Sequence, residues 1–151
     1  MAAPVTEKFE ELVLEVEFDP DGSPGTYSKI CGMVDATVTR TANIDTAEVP
    51  ADCDDESLPL QTERAVRNLD VSISASGVWA RGSNGKLLDW LYSGQPLNVR
   101  VTNAQAASGD TEIESGPALL SQLNNSRTKG QKVSAEIEIQ FDGTPARTAA
   151  A

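Results

Sequence analysis

Residues Val133–Phe141 read VSAEIEIQF, and the strict alternation in this stretch decides the fold class. Val133, Ala135, Ile137, Ile139 and Phe141 share one face, while Ser134, Glu136, Glu138 and Gln140 share the other. That is the period of a strand with one side in a core and the other in water. The pattern recurs upstream. Leu69–Ala80 (LDVSISASGVWA) sets Leu69, Val71, Ile73 and Ala75 against Asp70, Ser72, Ser74 and Ser76, and Gly77 then breaks the phase as a bulge would. Pro96–Ala104 (PLNVRVTNA) buries Leu97, Val99 and Val101, and Asp110–Glu114 is placed to pair with it. Phe9–Phe18 (FEELVLEVEF) puts Leu12, Leu14, Val16 and Phe18 opposite Glu11, Val13, Glu15 and Glu17. Tyr27–Ile44, rich in β-branched residues and free of proline, reads as one long strand bent at Gly32.

Between these strands lie other signals. Asp19–Thr26 (DPDGSPGT) concentrates turn-forming residues. Ser83 or Asn84 caps a predicted helix through Tyr92, with Leu87, Leu88 and Leu91 on one stripe beside Trp90 and Gly94 at its end. Pro117 opens a possible second helical turn in PALLSQLNN. Residues 45–68 carry no periodicity and read as a long loop, which in a compact domain has a job or gains order from a partner. Residues 144–151 read as a flexible C-terminal tail. The expectation is a single mainly β domain over 1–151: an antiparallel β-sandwich or barrel-forming sheet with one flanking α-helix.

The chain has 151 residues and a net charge of −11, and all of that excess lies in residues 1–60, which hold 14 acids and 3 bases. A strongly acidic surface repels nucleic acid rather than gripping it. No apolar run has the length of a signal peptide or a membrane span, so the expectation is a protein made and held in the cytoplasm until assembly, without membrane contact. Histidine is absent, which excludes the usual serine and cysteine triads and histidine metal clusters. Gly82–Gly85 lacks the lysine and spacing of a phosphate loop. Glu15 with Glu17, or Glu136 with Glu138, has the form of a carboxylate pair, yet residues two apart on a strand always share a face, so an acidic sheet face explains them. Asp52, Asp54, Asp55 and Glu56 offer oxygens to calcium but lack the tight-turn glycine and a bidentate acid at the right distance. Trp79 and Trp90 fall where packing is the ordinary role, and two cysteines, Cys31 and Cys53, make neither a disulfide framework nor a zinc set. Neither a catalytic residue, a metal ligand nor a cofactor is expected. The competing reading is a small β-sandwich binding module, calcium- or carbohydrate-dependent, using Asp52–Glu56 and an exposed tryptophan.

The order of elements resembles the tail tube, or major tail, proteins of phages with long non-contractile tails, particularly the gene transfer agent type. The stretches that carry the likeness are Ser28–Leu60 (SKICGMVDATVTRTANIDTAEVPADCDDESLPL), Val71–Val101 (VSISASGVWARGSNGKLLDWLYSGQPLNVRV) and Lys132–Gly143 (KVSAEIEIQFDG), about half of the chain. The resemblance implies a structural virion protein, not an enzyme, whose sheets join from six subunits into an inner barrel. Its hexameric rings would stack into a tube that conducts DNA during delivery. It implies partners in other copies of the chain and in the tape measure, tail terminator and distal tail proteins, and a place in the tail of a virion or gene transfer agent particle assembled in the host cytoplasm. The matching inter-ring loop carries Asp45, Glu48, Asp52, Asp54, Asp55 and Glu56. Glu15, Glu17, Glu136 and Glu138, on polar strand faces, are the lumen-facing candidates. Six copies would carry a formal charge of about −66, facing a duplex with one charge per about 1.7 Å of axis, so the cargo passes without sticking.

Overall fold

A computed structural model describes residues 12–22, 24–30, 32–103, 109 and 112–149, together with 3, 4 and 6. The elements are β1 (Leu12–Val16), β2 (Ser28–Lys29), β3 (Met33–Val49), β4 (Gln61–Val78), α1 (Arg81–Ser93), β5 (Leu97–Asn103), β6 (Ile113–Ser126), β7 (Ser134–Phe141) and β8 (Ala146–Thr148). All pairings are antiparallel in one sheet of order β2-β1-β5-β6-β7-β4-β3, with β8 beside β6.

Register turns the alternation into a core. Val38, Ile73, Ile139 and Leu120 stand in one row across β3, β4, β7 and β6, and Ala36, Ala75, Ile137 and Leu123 in the next. Ile73, Ile139, Val16, Val99 and Leu87 are fully buried, each contributing about 1.5–3 kcal/mol relative to exposure. The sheet curls over this face. Arg40 of β3 reaches Glu114 of β6, its Nε donating to Oε1 at 2.9 Å, although β7 and β4 separate those strands in the sheet. Leu12, Val13 and Leu14 of β1 likewise share a cleft with Met33 and Ala36 of β3. The result is a sandwich of two half-sheets that stays open along one side.

Helix α1 packs against β6 and sends Leu87 and Trp90 into the core. Phe18 meets Trp90 edge to face at 6.4 Å, and the indole Nε1 donates to the Gln95 carbonyl. The helix begins at Arg81, two residues before the expected cap. Ala80 is the N-cap, with no side-chain hydrogen bond, and its carbonyl accepts from the Asn84 N–H. Gly94 closes the helix in the left-handed conformation, as its position predicts.

Four expectations are corrected. The 24-residue connection at 45–68 is mostly strand: β3 runs to Val49 and β4 starts at Gln61, so only 50–60 link them. From Asn43 and Asn68 outward this ribbon pairs with no third strand among the described residues, and both its faces are wet, which removes the inside–outside pattern. PALLSQLNN is not helical but belongs to β6. A register shift between Leu120 and Gln122 places Leu120 and Leu123 on one face, a spacing that imitates a helix. Tyr27–Ile44 is two strands broken at Gly32, whose φ is +87°. The tail after Gly143 is not wholly loose, because Ala146–Thr148 pair with Ile113–Ser115.

Candidate assembly surfaces

One half of the sheet presents a polar face built in three rows. Asn124, Glu136, Ser76 and Asp35 form the first, Gln122, Glu138, Ser74 and Thr37 the second, and Leu119, Gln140, Ser72 and Thr39 the third. The side chains of the first two rows line one shallow depression. No lysine or arginine occupies any of these twelve positions, so no cation stands in these rows beside Asp35, Glu136 and Glu138. Glu136 is exposed and Glu138 half-buried, with Gln140 Nε2 donating to its Oε1 at 3.4 Å. Asp35 is not among the sequence candidates, although alternation already sets it with Thr37 and Thr39 on the face opposite Ala36 and Val38.

The other two glutamate candidates lie elsewhere. Glu15, on β1, accepts a hydrogen bond from Arg100 Nη2 at 3.2 Å, and that guanidinium also lies 4.2 Å from the Tyr27 ring centroid. Its charge is therefore matched within its own subunit. Glu17 is 6 % exposed. Its carboxylate accepts from the Gly25 N–H at 2.8 Å and from Asn98 Nδ2 at 3.3 Å, which pins the 19–26 turn to β5. A carboxylate committed in this way braces a turn and presents no charge to solvent.

Two edges of the polar half-sheet are open. β3 is the last strand on one side. On the other, β5 pairs with β6 only as far as Ala118, leaving residues 119–126 without a paired strand on that side among the described residues. Open edges are templates for pairing with another chain. The β3–β4 ribbon is a third exposed feature. Ile44 faces Val66 across it, both more than half exposed, and Leu58 and Leu60 are exposed in the connection. An isolated two-stranded ribbon is marginally stable, and among the described residues nothing covers these apolar side chains.

Asp45 and Glu48 sit on the β3 arm of the ribbon, and Asp52, Asp54, Asp55 and Glu56 at its tip, all exposed. Asp52 accepts from the Asp54 N–H, and Asp55 from both the N–H and hydroxyl of Ser57. The Ser57 hydrogen bonds hold the Asp55 carboxyl below the ordinary aspartate range. Among the described residues no group of three acids, cysteines or histidines converges as a metal site would require. Neither tryptophan is free to stack a sugar: Trp90 is buried and Trp79 packs against the core. Cys53 is an exposed free thiol, and Cys31 and Glu11 lie outside the described residues.

What this chain offers a partner is edges, a face and an arm, the equipment of a subunit made for assembly. It belongs to the phage tail tube protein family, whose model matches residues 6–147, and is thus a structural subunit of phage-like tails. No curated protein matches it. Among solved structures it is similar to the tail of an empty gene transfer agent (GTA) particle reconstructed with C6 symmetry. That match has 16 % identity and a TM-score of 0.71, and covers 95 % of this chain and all of the other. The virion of a native GTA particle matches at 15 % identity and 0.68, with the same coverage. The SPP1 tail tube matches at 12 % and 0.68, covering 95 % of this chain and 79 % of its own. The fold is therefore that of tail tubes, reached with few shared residues.

Proposed function

We propose that six copies close into a ring through the open edges of the polar half-sheet, that rings stack through the β3–β4 arm, and that the acid-only face lines a bore through which DNA passes. The observation that carries this reading is the pairing of that face with those edges. Joining the β3 edge of one copy to β6 residues 119–126 of the next leaves neither of these two edges unpaired in a closed ring. Four strands from each of six copies make a barrel whose backbone diameter is about 48 Å, at about 4.8 Å per strand and a tilt near 40°. Inward side chains take roughly 10 Å of that, so the gap around a centred duplex is about one Debye length, ~8 Å at physiological ionic strength.

The charge that DNA meets is smaller than the chain's total. Three acids per copy, Asp35, Glu136 and Glu138, give a ring about −18, while most of the remaining excess lies on the arm. That is enough to keep phosphates from settling on a wall that has no lysine or arginine to hold them. Tape measure, terminator and distal tail proteins would meet the same ring surfaces inside and at the two ends of the tube.

The test is a charge reversal on the wall. Tubes assembled from Glu136→Lys, Glu138→Lys protein in the presence of a short labelled duplex should retain it, with retention falling steeply as salt rises. Wild-type tubes should release it. Equal retention by both would overturn the lumen assignment.

A further inference from the structure

The charges of this subunit are sorted along its axis as well as around it. The β7 end at Phe141 lies beside the root of the β3–β4 arm, and the end at Ser134 lies beside Val78, so the β6–β7 turn and the arm stand at opposite ends of the same half-sheet. That turn reads Arg127-Thr-Lys129-Gly-Gln-Lys132 and holds three bases and no acid. It is a formed structure: Gly130 has φ +87°, the Gln131 N–H donates to the Thr128 carbonyl at 3.0 Å, and the Trp79 N–H donates to the Val133 carbonyl at 2.7 Å. Arg127, Lys129 and Lys132 are exposed, and among the described residues none of them has an acid within ion-pair distance. The exposed apolar side chains Val78 and Val133 stand next to them.

We infer that the β6–β7 turn is the docking surface for the arm of a second copy of this chain, in the next ring. The complementarity has two independent parts. Residues 51–60, the arm tip, hold four acids and no base, against three bases on the turn. Leu58 and Leu60 of the arm are exposed and uncovered, as are Val78 and Val133. Beyond Asn43 and Asn68 the paired ribbon extends about 20 Å, so the arm projects towards a neighbouring ring without unfolding.

This sorting also sets direction. Turn against turn places like charges together, and so does arm against arm, whereas turn against arm is attractive; the contact is heterologous and generates a polar filament that adds rings head to tail. The inference rests on the ring stacking proposed above and adds the receiving surface and the polarity.

Two charge reversals test it. Arg127→Glu, Lys129→Glu, Lys132→Glu should still fold and close rings but elongate more than about tenfold more slowly than wild type, as should Asp52→Lys, Asp54→Lys, Asp55→Lys, Glu56→Lys. Combining both sets in one chain should restore growth to within about threefold of wild type, which loss of folding in either single set could not produce. Circular dichroism and gel filtration read folding and rings, and light scattering with electron microscopy reads tubes. Wild-type growth by the turn variant, or no recovery in the combined variant, overturns the inference while leaving ring assembly standing. Failure of the wild type itself to form rings or tubes overturns the assembly reading and this inference with it.

Discussion

Gly77 stands where β4 crosses the break between β2 and β3, and a Cβ built there would lie 2.0 Å from the Gly32 carbonyl oxygen and 2.8 Å from Met33 Cα. Both are backbone atoms, held by the Val78 N–H donating to that same carbonyl at 2.9 Å, so neither can move aside cheaply. Gly77→Ala should therefore cost at least about 3 kcal/mol in urea unfolding. Gly85→Ala, inside α1 with nothing within 4 Å of the new methyl, should stabilise by about 1 kcal/mol. A Gly77→Ala protein as stable as wild type would remove the close approach from the account. The phase break at this glycine is visible in the sequence, but its cause is not: the extra residue, Val34, sits on the partner strand. Glu17 teaches the same lesson in reverse. Alternation places it on the outer face of FEELVLEVEF, yet the 19–26 turn folds back over it and supplies the donor that a buried carboxylate needs.

At the scale of elements, the arm is the feature most open to test. Removing Ala51–Ser57 shortens a connection that contributes nothing to the buried core and leaves the β3–β4 register intact. The deleted protein should melt within a few degrees of wild type and close rings, but not stack them, as read by calorimetry and electron microscopy. Normal tube growth would end the assignment of this arm to contacts between rings. The core strands were legible because each has one dry face: VSAEIEIQF and LDVSISAS announce β7 and the inner part of β4 by alternation alone. The arm was not, since a two-stranded ribbon wet on both faces leaves no periodic trace in DTAEV or QTERAVRN. β6 was hidden by its own irregularity. Pro117, which imitates a helix start, is tolerated because its carbonyl points towards Asp142 of the β7 end. Its missing N–H therefore falls in the gap between β8 and β7, outside the β5 ladder.

The whole molecule is a curled sheet that finishes on one side and stays open on the other. Its closed half, around Val16, Val99 and Leu87, is what a single copy can stabilise, while the half that carries the acid-only face ends in the two unpaired edges, β3 and the far part of β6. Aromatic residues make up 5 % of the chain, so the core is mostly aliphatic around Trp90 and Phe141, and in the proposed ring, completing the sheet between copies would supply contacts that one copy lacks. Membership of the tail tube family and the likeness to GTA and SPP1 tails agree with a fold arranged in this way. The division of charge follows the same layout: an acidic sheet face, an acidic arm at one end and a basic turn at the other. The measurement that bears most directly on the account is cryo-electron microscopy of tubes grown from the purified protein. The predicted result is stacked six-fold rings in which β6, β7, β4 and β3 form a continuous inner barrel with Glu136 and Glu138 pointing into the bore. Rings in which those glutamates face outward, or a protein that stays monomeric at every concentration, would contradict it.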